Sequence, residues 1–456
     1  SLRRALKEIA RSGGLAHTGG LMKTSFTGFR CFRCGTEQKA DFSGYACPAC
    51  GGNLEVRYAW PAGRPAGWWV DDSRRDIFRY RALLPVSDLA LASPLRVGLT
   101  PLYEAPRLGA AAGLNRLFLK DDGQNPSASF KDRAGAVALV RARETGAAVL
   151  CGASTGNAGS SMACLAASVG MPCVIFVPEK APAAKIAQLL IFGATVLAVK
   201  GSYDDAFDLC MAVCEKRGWF NRNTGHNPFT REGKKTAAFE IYEQLGRIPD
   251  WVAVPTGDGN IIAGVWKGFC DLKEAGIVDR TPKMLCAQSE ESAAISQAVW
   301  KLQKTGRSPS DWKHVAIAPV SATTLADSIS VDIPRDGLAA VRAVVESGGA
   351  AVTVPDADIL GAIPEMARGA GVFAEPAAAC AWAGLTKAAR EGMVKPDETV
   401  VCLCTGNGLK DVASARRAAG EPVAVDANVD AALAATEGLG GGGGGGERTL
   451  RDCLIA

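Results

Sequence analysis

Residues 148–159 read Ala-Val-Leu-Cys-Gly-Ala-Ser-Thr-Gly-Asn-Ala-Gly. The apolar run at 148–151 has the character of a buried strand, and a helix rich in small residues is expected at 159–169. The hydroxyl- and glycine-rich turn between them stacks backbone N–H groups at a helix N-terminus, a nest suited to a carboxylate or phosphate. The same grammar recurs along the chain. Short branched runs predict strands at 173–177, 195–199, 251–255, 284–288 and 399–405. Apolar residues every three or four positions predict helices at 131–144, 184–192, 203–217, 236–245 and 261–273. Strand then helix, repeated, predicts an α/β fold with doubly wound parallel sheets. Ligands of such sheets bind beyond the carboxyl ends of the strands, so the loops after strands carry the functional interest.

The whole composition suits that fold. The chain has 456 residues, 48% of them hydrophobic and 21% charged, with a formal net charge of +4. So small a charge on so long a chain argues against nucleic-acid or membrane partners. No apolar stretch approaches the roughly 20 residues that span a bilayer. The start of the chain lacks an uninterrupted apolar signal segment, so a cytoplasmic protein is the default expectation. Residues 1–21 read as a leader or tag, with Met22 a plausible start. The glycine run at 440–446 places a flexible Gly-rich tail at 426–456.

Cys31, Cys34, Cys47 and Cys50 form two Cys-x-x-Cys pairs, each followed by glycine. Glycine there permits a tight knuckle in which backbone N–H groups approach sulfur. Four thiolates satisfy tetrahedral Zn²⁺ and close its coordination sphere, so the expected metal is structural, in a zinc-ribbon-like module at 22–58. Free or oxidised thiols, and a nucleic-acid-binding ribbon, are the alternatives. The odd total of fifteen cysteines and the apolar setting of most others weigh against a disulfide framework.

Three further stretches share the theme of the first. Asn125-Pro126-Ser127-Ala128-Ser129-Phe130-Lys131-Asp132-Arg133 opens a helix, with Ser129 a candidate cap and Lys131 in the first turn. A lysine buried beside positive backbone dipoles has a lowered pKa and attacks aldehydes readily. Thr256-Gly257-Asp258-Gly259-Asn260 follows the strand at 251–255 and makes a second anion nest, from which Asp258 is expected to point away. Thr405-Gly406-Asn407-Gly408 ends the strand at 399–405, where a hydroxyl can bond a heteroaromatic nitrogen.

In combination and order these motifs resemble the threonine synthase family of fold type II pyridoxal 5'-phosphate (PLP) enzymes, which are similar to tryptophan synthase β. The resemblance runs from Cys31 to Asp411 and includes Thr405-Gly-Asn-Gly-Leu-Lys-Asp411. It implies a fold of two parallel-sheet domains with the cofactor between them: a large domain at 59–115 and 225–425, and a smaller substrate-closing domain at 116–224. It implies that Lys131 condenses with the cofactor and then moves protons. Asn157 would contact the ring oxygen, and Gly257, Asp258, Gly259 and Asn260 would cup the phosphate. Thr405 would bond the ring nitrogen, and Ser154, Thr155, Gly156 and Asn157 would take the substrate carboxylate. The implied reaction turns O-phospho-L-homoserine and water into L-threonine and phosphate. The implied partners are a small, phosphorylated amino-acid substrate and a second copy in a homodimer. Glu375 matches the superfamily as a loop anchor, and Asp327 and Ser328 match a pocket-lining loop.

One segment departs from the pattern. The family's Asn-Ser-x-Asn-Pro-x-Arg-x-Glu-Gly-x-Lys-Thr is here Thr224-Gly-His-Asn-Pro-Phe-Thr-Arg-Glu-Gly-Lys-Lys-Thr236. Thr224, Gly225 and Thr230 replace the Asn-Ser pair and the arginine that serve the substrate phosphate in the family. Arg231, Lys185 and Lys234 are candidate replacements, and His226 a candidate pocket residue. A related PLP lyase or β-replacement enzyme (cysteate-synthase-like or threonine-dehydratase-like) is the second reading. A non-catalytic PLP- and zinc-binding regulatory paralog is the third.

Overall fold

The computed structural model describes residues 24–305 and 308–437. The expected leader, Met22 and the glycine run lie outside the described residues. Residues 429–435 of the expected tail form a short exposed helix, Val429–Ala435, capped by Asn428.

Two parallel sheets dominate. The larger is ordered β12 (Ala350–Val354), β11 (Lys283–Ser289), β10 (Trp251–Pro255), β13 (Thr399–Cys404), β5 (Arg116–Asp121) and β4 (Leu102–Glu104). Its strands are parallel except β4, an antiparallel edge. Alternate residues of β10 face opposite layers, as a pleated strand requires. Val252 and Val254 pack with Ile262, Phe269 and Phe239 of the helices Asn260–Glu274 and Thr236–Leu245. Trp251 and Ala253 pack with Leu285, Trp382 and Ile363 on the other side. The smaller sheet runs β8 (Thr195–Val199), β7 (Cys173–Pro178), β6 (Leu150–Ala153) and β9 (Phe220–Asn221), all parallel. The expected α/β architecture is therefore present. The helices Lys131–Glu144, Tyr203–Arg217 and Thr236–Leu245 fall where periodicity puts them.

The domain boundary expected at 116 does not separate the sheets. β5 pairs with β13 from Arg116 opposite Thr399 to Asp121 opposite Cys404, so it belongs to the larger sheet. Its charged residues disguise it as a loop. Lys120 and Asp121 are buried because they are paired: the Lys120 ammonium lies 2.7 Å from Glu240, and Asp121 accepts from Gly123 N at 3.0 Å and from the Gln124 amide at 3.1 Å. Buried charges of this kind persist only with such partners.

A third, antiparallel sheet of β1 (Phe26–Cys31), β2 (Glu37–Lys39) and β3 (Leu54–Tyr58) forms the N-terminal module. It docks on the larger body through aromatic and polar contacts. Phe29 meets Phe229 edge-on at 5.7 Å, and the Tyr58 hydroxyl donates to Glu232 at 2.5 Å. The Asn53 amide donates to the Arg335 carbonyl at 2.8 Å. No helix among the described residues is long and apolar enough to cross a membrane.

Candidate active site

The segment 125–133 is folded so that one side chain is left over. The Asn125 side-chain Oδ1 accepts from Gly98 N at 2.9 Å. The Asp132 carboxylate closes the turn by accepting from Ser127 N and Oγ at 2.6 and 2.5 Å. Ala128 sits at φ 58°, a left-handed conformation that a non-glycine residue rarely adopts. Phe130 is wholly buried and anchors the helix start; burying such a ring is worth roughly 1.5–3 kcal/mol. Ser129 is not the cap residue itself, which is Phe130, but its Oγ accepts from Lys131 N at 3.3 Å. The Arg133 guanidinium is locked between Asp122 and Glu240. Only Lys131 is spared: its ammonium has no hydrogen-bond or ion-pair partner among the described residues, and it faces a cleft.

That cleft joins the distant loops. Lys131, Asn157, Thr256, Gly257, Asp258, Gly259, Ser328, Glu375 and Thr405 all line it. The backbone holds the loops together. Phe130 N donates to Thr405 O at 2.8 Å, Asn407 N to Ala128 O at 3.1 Å, and Glu375 N to Gly406 O at 3.0 Å. Gly257 has no room for a side chain, because a Cβ there would lie 2.8 Å from Ile329 Cα. Gly259 has φ 90° and begins the helix Asn260–Glu274, whose first N–H groups lack intrahelical acceptors. The Thr405 hydroxyl makes no hydrogen bond among the described residues. Asn157 opens the helix Asn157–Ser168, and its amide donates to both Glu375 oxygens at 2.9 and 3.0 Å.

Beyond Lys131 the cleft widens into a cavity of about 440 Å³. Ser154, Thr155, Gly156 and Asn157 form one wall, with Arg222, Thr224, Asp258 and the 327–335 segment around it. Burial is the main cause that lowers the Lys131 pKa, with Asp258 and Glu375 opposing. Burial likewise raises the Glu375 carboxyl, against the Asn157 hydrogen bonds. A lysine more readily neutral, beside a helix terminus that attracts anions, suits condensation with the aldehyde of a phosphorylated cofactor.

Comparison with known proteins assigns the family. A family model described as pyridoxal-phosphate dependent enzyme matches residues 94–406. The threonine synthase of Methanocaldococcus jannaschii is 38% identical over 78% of this chain and 85% of its own length. That of Methanosarcina acetivorans is 37% identical over 88% and 96%. The chain belongs to the threonine synthase family of pyridoxal-phosphate dependent enzymes. Among solved structures, threonine deaminase isoform 2 from Solanum lycopersicum aligns with TM-score 0.59 at 22% identity, over 70% of this chain and 83% of its own. An O-ureido-L-serine synthase aligns with TM-score 0.58 at 17% identity, over 74% and 96%. At such identities these structures speak to the fold alone.

Against this family background several expectations change. Asp258 lines both cleft and cavity, and its Oδ1 accepts from Asn260 N at 3.0 Å. The Asn260 side chain is turned from the cleft, held by Lys234 at 2.5 Å and Asp336 at 2.7 Å. Arg231 does not replace the family's phosphate arginine, since it is bidentate on Asp336 and stacks on Phe32. Lys185 is paired with Asp327 at 2.5 Å. Thr230 is wholly buried with its hydroxyl on Asn227 O. His226 packs edge-on against Tyr45 and is not among the lining residues of the cavity. Arg222, by contrast, is in the cavity wall and escaped notice in the sequence. A lone arginine among asparagines makes no pattern; its place just after β9, at the carboxyl end of a parallel strand, was the available signal.

The four N-terminal cysteines converge as well. All four sulfurs lie within 4.8 Å of one another, with separations of 3.5, 3.6 and 3.4 Å for Cys31–Cys50, Cys34–Cys47 and Cys34–Cys50. A disulfide needs about 2.05 Å. Four ligands at about 2.3 Å around a tetrahedral ion lie about 3.8 Å apart, close to what is found. Gly35 and Gly51, at φ 76° and 67°, make the two knuckles.

Proposed function

We propose that this protein is a threonine synthase, converting O-phospho-L-homoserine and water to L-threonine and phosphate. The observation that carries the reading is the meeting of Lys131, the Gly257–Gly259 loop, Asn157 and Thr405 in one cleft, in a chain of this family.

In this reading Lys131 holds the cofactor, and Gly257, Asp258, Gly259 and Asn260 form its phosphate loop. The part of Asn260 falls to the N-terminus of the helix it begins, because its side chain is held by Lys234 and Asp336 and its own N–H donates to Asp258. Thr405 meets the ring nitrogen and Asn157 the ring oxygen, with Glu375 fixing the Asn157 amide. When bound, PLP supplies an electron sink for negative charge beside the substrate amine. Thr405 is neutral, so it does not enforce a charged ring as a carboxylate would. Ser154, Thr155 and Gly156, with the N–H groups of the helix they begin, take the substrate carboxylate. With the cofactor bound, Lys131 would be the group placed to take the α-proton and to redistribute protons while phosphate leaves and water adds.

The four-cysteine cluster holds structural Zn²⁺ in this proposal, supported by the sulfur separations. Two further parts rest on the family resemblance: a smaller domain built on β6 to β9 that closes over substrate, and a cytoplasmic homodimer, which sedimentation would check.

The changed residues at Thr224, Gly225 and Thr230 favour one second reading, a PLP lyase or β-replacement enzyme acting on another amino acid. A substrate panel separates the two. Phosphate release from O-phosphohomoserine, with threonine formed and with O-phosphoserine, serine and threonine inferior, supports the first. Turnover only of the others supports the second. Lys131→Ala should abolish both turnover and the cofactor's visible absorption.

A further inference from the structure

Arg222 is 2% exposed and lines the wide cavity, yet no carboxylate of the described residues pairs with it. One terminal nitrogen donates to the Thr224 hydroxyl at 3.0 Å, and the other reaches the Lys131 carbonyl at 3.4 Å. Its Nε is buried with no acceptor. The other basic groups nearby are spoken for: Arg335 is paired with Asp204 at 2.7 Å, and Lys234 with Asn260. A buried guanidinium without an anion is costly, and burial pulls its pKa down to about 10. Acidic groups do line the same cavity, namely Asp204, Asp258, Asp327 and Asp332, but none is within ion-pair distance of Arg222.

The location separates two candidate ligands. Arg222 is absent from the narrow cleft formed by Lys131, Gly257, Gly259, Glu375 and Thr405. It belongs to the wide side, shared with Ser154, Thr155 and Gly156. A substrate whose amine reaches Lys131 and whose carboxylate meets the 154–156 turn still has its side chain to place, in the cavity that Arg222 borders. A guanidinium presents its donors in a planar fork that matches a tetrahedral oxyanion.

We propose that Arg222, positioned by Thr224, is the specificity-determining residue that grips a tetrahedral oxyanion on the substrate side chain. This inference rests on the proposed substrate class but not on its identity, because phosphate and sulfonate share the chemistry. It also gives the unusual Thr224 a purpose: its hydroxyl accepts from the arginine, while Thr230 is too enclosed to reach any ligand.

The test uses holoenzyme, so that the cofactor's own phosphate already fills its loop. Inorganic phosphate and sulfate are titrated calorimetrically into wild type, Arg222→Gln and Arg222→Lys, with the cofactor's visible band and melting temperature recorded. Arg222→Gln should weaken inorganic phosphate at least about tenfold, the scale of one charge-assisted bond, while retaining the band. Arg222→Lys should recover part of the affinity, and should raise KM for O-phosphohomoserine more than it lowers kcat. Unchanged phosphate affinity in both variants would overturn the proposal, as would absence of phosphate and sulfate binding to wild type. Loss of the visible band in step with affinity would also overturn it, by assigning Arg222 to the cofactor. Arg222-dependent phosphate binding without turnover of O-phosphohomoserine would leave this inference standing and remove the threonine synthase reading.

Discussion

Gly406→Ala tests the cleft through an atom that is not yet there. A Cβ on Gly406 would lie 2.2 and 2.7 Å from the two Glu375 oxygens and 2.3 Å from the carboxylate carbon. Gly406 does not use a left-handed φ, so alanine adds no backbone strain and the steric clash acts alone. The carboxylate is the end of a side chain and can swing aside, but Asn157 then loses both bonds to it, 2.9 and 3.0 Å long. Hydrogen bonds to charged groups contribute about 1.5–3 kcal/mol each. Losing the value of one, after partial rescue by Ser328 or water, weakens whatever Asn157 positions by roughly 10- to 150-fold. The assay is titration of apoenzyme with PLP by visible absorption, with kcat measured at saturating cofactor. Gly361→Ala is the control: it sits in the helix Asp356–Ala370 with nothing within 4 Å of a new Cβ, and should hold or slightly raise stability. Gly406→Ala protein that binds PLP and turns over within about twofold of wild type would refute the idea that Glu375 works through Asn157, since each tenfold corresponds to about 1.4 kcal/mol.

Three other outcomes are expected. Cofactor uptake by apoenzyme should accelerate with pH and level off below 10.5, the value for a free lysine, because burial depresses the Lys131 pKa. The same depression adds stability above 10.5 that is lost as pH falls through the folded value; an uptake midpoint at or above 10.5 argues against it. Elemental analysis of metal-replete protein should find about one zinc per chain on the four-thiolate argument, and Cys47→Ser should lose it and melt earlier; a metal-free but equally stable wild type would reject the site. Arg133→Met should lower the free energy of unfolding by about 3–5 kcal/mol, because it strands Asp122 as a buried charge and leaves Glu240 with Lys120 alone; a urea-denaturation loss below about 1 kcal/mol would show the network to be dispensable.

What could be read in the sequence follows from where side chains and backbone divide the work. The turns at 154–157 and 257–259 act through backbone geometry, and glycine after a branched strand announces that directly. Lys131 was legible because its neighbours are so heavily specified. β5 was not, because Lys120 and Asp121 are charged residues in a buried strand, and only their partners, Glu240 of the helix Thr236–Leu245 for Lys120 and the Gly123 N–H and Gln124 amide for Asp121, make that tolerable. Asn260 misled for the opposite reason: its place in the loop is right, but Lys234 and Asp336 claim its side chain. Arg222 is a solitary residue whose meaning depends on what fails to pair with it, and pairing is a property of the fold.

The cleft and the cavity divide this site into a constant and a variable part, and Thr224, the departure from the family pattern that reaches the site, falls on one side of that division, while Thr230 is enclosed away from both. Residues facing the narrow cleft, from Lys131 to Thr405, keep the family's motifs, since any substrate must use the same cofactor. Thr224, in the wall of the wide cavity, departs from the pattern and is bonded to Arg222. Gly225 also departs, and a Cβ there would lie 2.6 Å from Arg335 Cβ, whose residue lines the cavity. Arg335 in turn holds Asn53 of the cysteine module through its carbonyl. The outer wall is thus one packed unit of the 222–225 turn, the 327–335 segment and the N-terminal module. A change of substrate can be accommodated there without disturbing the amine of Lys131, because the two regions meet only at a few residues, among them Lys131, Asn157 and Asp258.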